Sequence, residues 1–462
     1  MTTEKFNIFK FTGKMKILHL SWMAFFISFL VWFNFAPLLQ AVKETLGLTT
    51  DQVKTLLILN VALTIPARVI IGMLTDKYGP RLVYSALLAV CSVPCFMFAF
   101  ADSFVQAAIA RFLLGFIGAG FVIGIRMVSE WFPHNELGTA EGIYGGWGNF
   151  GSAAAAFTLP TIAVLFGGED GWRYAIGLTG VISLVFAFVY YANVTNTPKG
   201  STYFKPKNLG AMEVTSKGDF FLLLLMKLPM YAAIALLAWK LSPSGVDILS
   251  QTIVNSIYVG LFVLYLLEVY KVWQVNKEIF SKEVPELHRY NFKQVAVLDI
   301  LYFTNFGSEL AVVSMLPLFF AETFNLDPVL AGLVAGAYAF MNLMSRPAGG
   351  WISDKFGRKP IILFGLLVFL AGSIVAATAT TIYGVVFGRA LQGMGAIASA
   401  VLAFAADLSR EDQRPKVMAT IGMFIGLSFT VSMVIGPIVA ESYGLSGLFW
   451  LTGILTILAM FM

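Results

Sequence analysis

Charged side chains are scarce in this chain. Asp, Glu, Lys and Arg make up 12% of its 462 residues, against about 25% in a typical soluble domain. Hydrophobic residues make up 58%, and the mean hydropathy is +0.80. Because so few charges cannot cover a protein surface in water, the composition excludes a soluble globular protein.

Side chains suited to redox or metal chemistry are scarce as well. The two cysteines, Cys91 and Cys95, stand four residues apart in an apolar stretch, which is typical of small buried side chains and not of a disulfide or a metal site. The three histidines are scattered, and the sequence has no glycine-rich phosphate loop or metal-ligand spacing. We therefore expect no catalytic residues, no metal and no cofactor, and a protein that is not an enzyme.

Apolar stretches of about 20 residues recur from end to end, the length that a helix needs to cross a bilayer. Period-2 alternation is weak, which argues against a β-barrel. The first stretch follows Lys16 and is too long for the apolar region of a signal peptide. The sequence predicts an all-α polytopic membrane protein with fourteen spans, at residues 17–40, 55–75, 82–101, 104–130, 139–165, 173–193, 219–240, 250–273, 295–320, 328–352, 360–378, 381–406, 417–440 and 444–462.

Basic residues account for the net charge of +5, and they lie mostly in short loops between the apolar stretches. Four lysines precede the first span, and further clusters recur in the even-numbered loops. Because cytoplasmic loops carry an excess of Lys and Arg, we expect a multi-pass protein of the cell inner (plasma) membrane with a cytoplasmic amino terminus. This placement of charge indicates topology, so we expect the lipid bilayer as a partner and no nucleic acid.

The chain contains an internal duplication. Gly72–Arg81 reads GMLTDKYGPR, and Gly350–Lys359 reads GWISDKFGRK, 278 positions later. The same offset relates Arg68 to Arg346 and Arg111 to Arg389. Two parallel halves around a central site are the architecture of a secondary transporter.

Both copies of this loop resemble the loop motif of the major facilitator superfamily, and Arg111-x-x-x-Gly115 is similar to a second motif of that superfamily. The resemblance implies the major facilitator fold, with two six-helix halves. Since the family has twelve core helices, the stretches 219–240 and 250–273 are then an inserted two-helix hairpin, giving about fourteen transmembrane helices. We expect the boundaries 1–200 for the first half, 201–293 for the hairpin with its linkers, and 294–462 for the second half.

Two arginines are placed deep in the predicted membrane. Arg68 and Arg346 each stand eight residues before the aspartate of their loop, or about 12 Å along a helix. A guanidinium near the bilayer centre costs roughly 2.5–3.5 kcal/mol on insertion scales, so we expect both to face a central cavity. Their forked donors suit a flat oxyanion. The alternative is that each arginine pairs with an acid on a neighbouring helix and only braces the fold.

A sharper resemblance concerns the stretch Gly145–Gly151, which reads GGWGNFG and looks like the nitrate signature of the nitrate/nitrite porter family, nitrate-permease branch. The run Tyr302-x-x-x-Phe306-Gly307-Ser308 is similar to the seventh core helix of that family. The sequence departs from the family in the second nitrate signature, on the eleventh core helix, of which only part is present around Ser428. The resemblance implies transport of nitrate, with nitrite as a further substrate, and a binding site formed by Arg68, Arg346, Asn149, Tyr302, Phe306, Phe121 and Gly145.

We expect alternating access in a monomer, with the loops of Asp76, Arg81, Asp354 and Arg358 latching the cytoplasmic ends in one state. Coupling stays open between nitrate/nitrite exchange and proton symport, for which Glu309 and Glu141 are the embedded carboxylates. Either glutamate could instead be a structural partner of Arg111, Arg126 or Arg389. The alternative cargo is another small anion or an organic solute on the same fold.

Overall fold

The computed structural model of the chain describes residues 6–168, 170–203, 212–245, 247–281, 289–326, 330–331, 334, 336–395, 397–409 and 414–462. Inside the described helices, several side chains lie outside the description, residues 306–315 among them. The Phe306 and Glu309 side chains therefore lie outside it. Every regular element in the described part is helical.

Nine α-helices occur among the described residues that precede the predicted hairpin. Gly79, with φ of 87°, ends α4, and Pro80 begins α5, because glycine adopts positive φ freely and proline suits the first turn of a helix. The helices are α1 (Gly13–Trp32), α2 (Leu39–Thr45), α3 (Thr50–Ala62), α4 (Thr64–Tyr78), α5 (Pro80–Ala99), α6 (Phe104–Leu114), α7 (Gly120–Trp131), α8 (His134–Phe166) and α9 (Gly171–Asn193).

Eight further helices complete the described structure. Gly357, with φ of 93°, ends α13 as Gly79 ends α4, so the two loop copies share their backbone geometry. Gly444 breaks the last helix with φ of 67°. The helices are α10 (Lys217–Lys240), α11 (Gln251–Asn276), α12 (Phe292–Phe324), α13 (Ala337–Phe356), α14 (Arg358–Thr378), α15 (Ile382–Met394), α16 (Ala398–Leu408) and α17 (Arg414–Met460).

Ten segments of the described chain are long and apolar enough to cross a membrane, which agrees with a helical membrane protein. Four predicted spans are not among the ten. They fall on α3 with α4, on α12, on the stretch that ends in α13, and on the first part of α17. The count of fourteen is therefore approximate.

The two repeats meet along α8 and α13, which make the most extensive contact between them, and also where α4 lies against α17. Within the repeats, α1 packs on α8, α5 on α9 and α12 on α17. Helix α11 packs mainly on α10, and α10 packs on α17. The predicted hairpin thus lies at the edge of the bundle, and the contact of α8 with α13 positions the candidate site.

Candidate functional site

Arg68 lies on α4 and is 2% exposed. The short helical turn Gly115–Ala119 packs directly against α4, and Thr64 Oγ1 donates a hydrogen bond to the Gly115 carbonyl at 2.7 Å. A Cβ at Gly118 would lie 2.7 Å from Thr64 Cγ2, so only glycine allows this approach. As a result Arg68 Nε donates to the Gly118 carbonyl at 3.3 Å, and its guanidinium is held in the interior.

Arg346 lies on α13 and is 1% exposed. With the Asn149 amide oriented so that its oxygen faces the guanidinium, that oxygen accepts hydrogen bonds from Nη1 at 2.7 Å and Nη2 at 3.2 Å. A Cβ at Gly145 would lie 3.3 Å from Nη1, closer than most side chains approach. The second repeat's arginine is therefore bound to α8 of the first repeat, at the predicted residues Gly145 and Asn149.

Phe121 and Tyr302 bring the repeats together at a second point. Their ring centroids are 6.3 Å apart, with Phe121 on α7 and Tyr302 on α12, and both are 1% exposed. Tyr144 stacks near Phe121 at 6.3 Å and donates from its hydroxyl to the Phe121 carbonyl at 3.1 Å. These three rings form an aromatic wall beside the arginines.

The contact of Arg346 with Asn149 and the aromatic wall belong to one region of the molecule. Tyr302 and Tyr144 both act electrostatically on Arg68, which places the aromatic wall close to that guanidinium. Tyr144 directly precedes Gly145 on α8, and Gly145 contacts Arg346. Around this stretch of α8, the structure therefore brings Arg346 to Asn149 and Gly145, and Tyr302 to Phe121 and to the surroundings of Arg68. The Phe306 side chain is outside the description. Ser428 is buried in α17.

The hydrogen bonds described for the two arginines go to a carbonyl and to an amide oxygen. Neutral oxygens satisfy N–H donors without cancelling the positive charge. Aromatic rings exclude water from the space beside the guanidinium groups, which strengthens their attraction for an anion. The arrangement is chemically suited to hold a small anion.

The first loop copy is braced mainly within its own repeat. Asp76 lies 3.8 Å from Arg126 Nε, and Arg126 pairs with Glu130 at 2.7 Å. Arg81 Nε donates to the Tyr191 carbonyl at 2.8 Å. Lys416 of α17 stabilises the Asp76 carboxylate electrostatically, and this is the described link from Asp76 to the other repeat.

The second loop copy binds across the repeats. Asp354 Oδ2 accepts from the Thr139 backbone N–H at 2.9 Å and from Thr139 Oγ1 at 2.7 Å. Arg358 pairs with Asp354 and donates from Nε to Asp407 at 3.0 Å. Of the predicted loop residues, Asp354 therefore makes a direct hydrogen-bonded contact with α8.

Glu141 is 2% exposed on α8, and its Oε2 atom has no hydrogen-bond partner in the described structure. Arg111, one of the three arginines considered as its structural partner, donates instead to Asn34 Oδ1 at 2.9 Å and to the Trp32 carbonyl at 3.3 Å. Glu141 forms no ion pair with any described side chain. The structural alternative for Glu141 is therefore not observed in this part of the chain.

Sequence reasoning missed Tyr144 and Asp299. Tyr144 adjoins the Gly145–Gly151 signature, so its place next to Gly145 was a usable signal. Asp299 stands three residues before Tyr302 on α12 and is fully buried. That spacing of three puts it on the helix face of Tyr302, which was also visible in the sequence. No group of three or more His, Cys, Asp or Glu that could hold a metal occurs among the residues the structure describes.

Comparison with known proteins shows which proteins this chain is similar to. The family model of the Major Facilitator Superfamily matches residues 21–272 and 298–462. The nitrate/nitrite transporter NrtP of Picosynechococcus sp. is 48% identical over 404 residues, which cover 80% of this chain and 75% of that protein. The nitrate/nitrite transporter NrtP of Nostoc punctiforme is 46% identical over 413 residues, which cover 86% of this chain and 82% of that protein.

A solved structure extends the likeness of fold. The proton:xylose symporter XylE matches with a TM-score of 0.64 at 15% identity, covering 97% of this chain and 94% of that one. At this level of identity the likeness concerns the arrangement of helices alone.

Proposed function

Because the chain belongs to the major facilitator superfamily, and within it to the nitrate/nitrite transporters, it carries nitrate across a membrane, and we propose that the anion binds between Arg68 and Arg346. The observation that carries this site is the pair of hydrogen bonds from Arg346 to Asn149, which hold the arginine of one repeat on the signature helix of the other. An anion bound there touches both repeats at once.

Each part of the proposed site has a chemical role for a flat trigonal anion. The guanidinium groups of Arg68 and Arg346 offer paired N–H donors in a plane, which match two oxygens of nitrate. Phe121 and Tyr302 pack beside the ion and exclude water, and Phe306 is predicted to join them. Gly145 leaves room for the Arg346 side chain. Nitrite has the same charge and two oxygens, so we expect it to compete for the site.

Transport then proceeds by alternating access. The anion contacts both repeats, so it stabilises the state in which they close around it. The contact of Asp354 with Thr139 ties the α13 end to α8 and must break when the site opens on that side. Asp76, Arg81 and Arg358 shape the same end of the molecule. The predicted topology makes this end cytoplasmic, in the inner membrane, and we propose that one polypeptide suffices.

Coupling follows from charge. The two arginines alone contribute a charge of +2 to the empty site, so its return through the membrane without a compensating charge is unfavourable. Exchange of nitrate for nitrite returns the site loaded. Proton symport instead needs an embedded carboxylate, for which Glu141 and Glu309 are the predicted candidates, and burial of Glu141 supports its inclusion.

The test is counterflow of labelled nitrate in proteoliposomes, with internal nitrate, internal nitrite or neither. The wild-type protein should take up label when either anion is inside. Arg346→Lys should reduce uptake about 10- to 100-fold, because a lysine cannot reproduce the fork and a hydrogen bond to a charged group contributes about 1.5–3 kcal/mol.

The matched control is Arg173→Lys, which changes an arginine bound to the Ala99 and Ala101 carbonyls outside the site and should retain most of the uptake. Normal counterflow by Arg346→Lys would contradict the proposed site. An organic solute that is transported and is not displaced by nitrate would favour the alternative cargo.

A further inference from the structure

A buried carboxylate that the proposed mechanism does not use lies on α12. Asp299 is 0% exposed, and neither Oδ1 nor Oδ2 has a hydrogen-bond partner in the described structure. Most buried polar groups in proteins are satisfied, and an ionised carboxylate without partners is costly in such a setting. Asp299 is therefore at least as unusual in this interior as the two site arginines.

The position of Asp299 relates it to the anion site. It precedes Tyr302 by three residues and Phe306 by seven, so on a helix of 3.6 residues per turn it stands within about 60° of Tyr302 and about 20° of Phe306. Its Cα is about 4.5 Å from that of Tyr302 along the axis. Tyr302 in turn lies beside Phe121 and acts on Arg68. Asp299 is one turn from the site, on the site's face of α12.

The charged groups on the helices packed against α12 interact with residues other than Asp299. Lys416 of α17 stabilises Asp76, Asp407 of α16 accepts from Arg358, and Lys227 of α10 pairs with Glu268 at 2.5 Å. None of the described ionisable groups of these helices forms an ion pair or hydrogen bond with Asp299, and the same holds on α12 itself. The groups concerned are Lys416, Tyr443, Asp407, Lys217, Asp219, Lys227, Tyr231, Lys240, Lys293 and Tyr302.

We propose that Asp299 is the proton-binding residue of this transporter, loaded from the aqueous side together with the anion. The inference rests on the proposed nitrate site and adds the identity of the coupled ion and of the group that carries it. Glu141 and Glu309 are the two carboxylates predicted from sequence. Glu141 stands four residues from Gly145 on a different helix and is the competing candidate.

The net charge of the site explains why nitrate and the proton are transported together. With Asp299 ionised, the two arginines and the carboxylate sum to +1. Binding one nitrate adds a negative charge, and protonating Asp299 removes one, so the loaded site is again +1. Nitrate binding and protonation of Asp299 add opposite charges to the same membrane interior, so each offsets the electrostatic cost of the other. The protein thus keeps the same charge when empty and when loaded with both.

Linkage gives the measurable consequence. If nitrate binding and proton binding favour each other, each raises the affinity of the other by the same factor. At pH values where Asp299 is ionised in the empty protein but protonated in the nitrate-loaded protein, nitrate affinity should rise up to about tenfold for each unit by which the pH falls. About one proton should be taken up for each nitrate bound in that range.

The experiment uses the full chain, purified in a weakly buffered detergent solution with a pH indicator, and reconstituted in parallel. Wild-type protein should take up protons when nitrate is added, and an inward pH gradient should drive nitrate accumulation in liposomes. Asp299→Asn should bind nitrate without proton uptake, lose gradient-driven accumulation and keep counterflow within about threefold of wild type. Asp299→Glu should retain gradient-driven accumulation.

Asp219→Asn is the matched control, since Asp219 is a buried acid of α10 outside the site, and it should behave as wild type. Gradient-driven accumulation by Asp299→Asn would overturn the proposal, as would its loss in Glu141→Gln with Asp299→Asn unaffected. If Asp299→Asn does not fold, wild-type nitrate binding without proton uptake overturns the proposal by itself. A wild-type protein that neither binds nor exchanges nitrate would instead refute the proposed function.

Discussion

Two contacts between the repeats, which we call seams, are related by the same 278-residue offset. One joins α8 to α13 and the other joins α17 to α4, and they are built differently. Along α8 and α13, glycines bring the backbones together, since a Cβ at Gly142 would lie 2.4 Å from the Arg346 carbonyl oxygen. A Cβ at Gly350 would lie 2.1 Å from the Gly138 carbonyl oxygen. In the other seam, α17 has Lys416 and Thr420 at the positions that correspond to Gly138 and Gly142, and such side chains prevent the same approach to α4.

The polar contacts across the two seams differ in the same way. Asp354 is hydrogen-bonded to Thr139 across the first seam, and Trp147 Nε1 donates to the Leu343 carbonyl at 3.1 Å. Asp76 is 3.8 Å from Arg126 of its own repeat and meets Lys416 of the other through electrostatics. Direct contacts of fixed geometry hold α8 to α13, so we expect the seam of α4 with α17 to part more easily during transport.

The largest expected effect comes from filling the glycine contact. Gly142→Ala puts a methyl group against a backbone oxygen that no side-chain rotation can move. Overpacking costs about 1–3 kcal/mol, so nitrate counterflow should fall by up to roughly 100-fold. The control is Gly260→Ala on α11, where a Cβ meets nothing within 4 Å. Equal counterflow by the two variants would show that the seam of α8 with α13 is not closely packed during transport.

The second prediction compares the two loop aspartates. Asp354→Ala removes two hydrogen bonds between the repeats, whereas Asp76→Ala removes an ion pair within one repeat. Hydrogen bonds to a charged group contribute about 1.5–3 kcal/mol. Asp354→Ala should therefore raise the population of molecules that are open at the end of the two loops about 10- to 100-fold. The Asp76→Ala shift should be smaller.

Spin labels at Lys77→Cys and Lys355→Cys, both exposed, would report the distance between the loops in a Cys91→Ala, Cys95→Ala background. A larger displacement with Asp76→Ala than with Asp354→Ala would reverse the comparison of the seams.

The third prediction concerns the indole of Trp147. Trp147→Phe keeps an aromatic ring and removes the hydrogen bond to the Leu343 carbonyl, which contributes about 0.5–1.5 kcal/mol. The same spin-label pair should show an increase of about two- to tenfold in the open population. Trp239→Phe, an exposed tryptophan of α10, is the control and should leave the distribution unchanged. No change with Trp147→Phe would mean that this bond does not contribute to closure.

The smallest expected effect is in the second seam. Lys416→Gln removes a charge that stabilises the Asp76 carboxylate, and such pairs contribute about 0.2–1 kcal/mol near water. The open population should rise by up to about fivefold at low salt and less at high salt, because salt screens the attraction. A salt-independent effect of the size seen with Asp354→Ala would show that Lys416 makes a direct contact of fixed geometry.

The hairpin illustrates a limit of sequence interpretation. Its two stretches were predicted from length and hydropathy alone, and α10 and α11 are present as candidate spans. Neither stretch revealed that Lys227 pairs with Glu268, or that Tyr231 donates to Glu268 at 2.6 Å. The pairing depends on the register at which two helices pack, which local composition does not encode.

The site shows the same division. The depth of Arg68 and Arg346 follows from counting residues along a helix, so both could be predicted as interior groups. The neutral partners of these arginines could not, since Gly118 and Asn149 are 50 and 197 positions away in the sequence.

The sequence by itself determined the helical membrane class, the duplication and the two deep arginines, because hydropathy, helical rise and a fixed offset are properties of the chain read in order. Only the tertiary structure decided that Arg346 binds Asn149, that Asp299 is buried with no hydrogen-bond partner among the described residues, and that α8 and α13 make a more extensive contact than α4 and α17 do. These features depend on which helix faces come into contact when the repeats pack, and contacts between distant segments arise only in the folded chain.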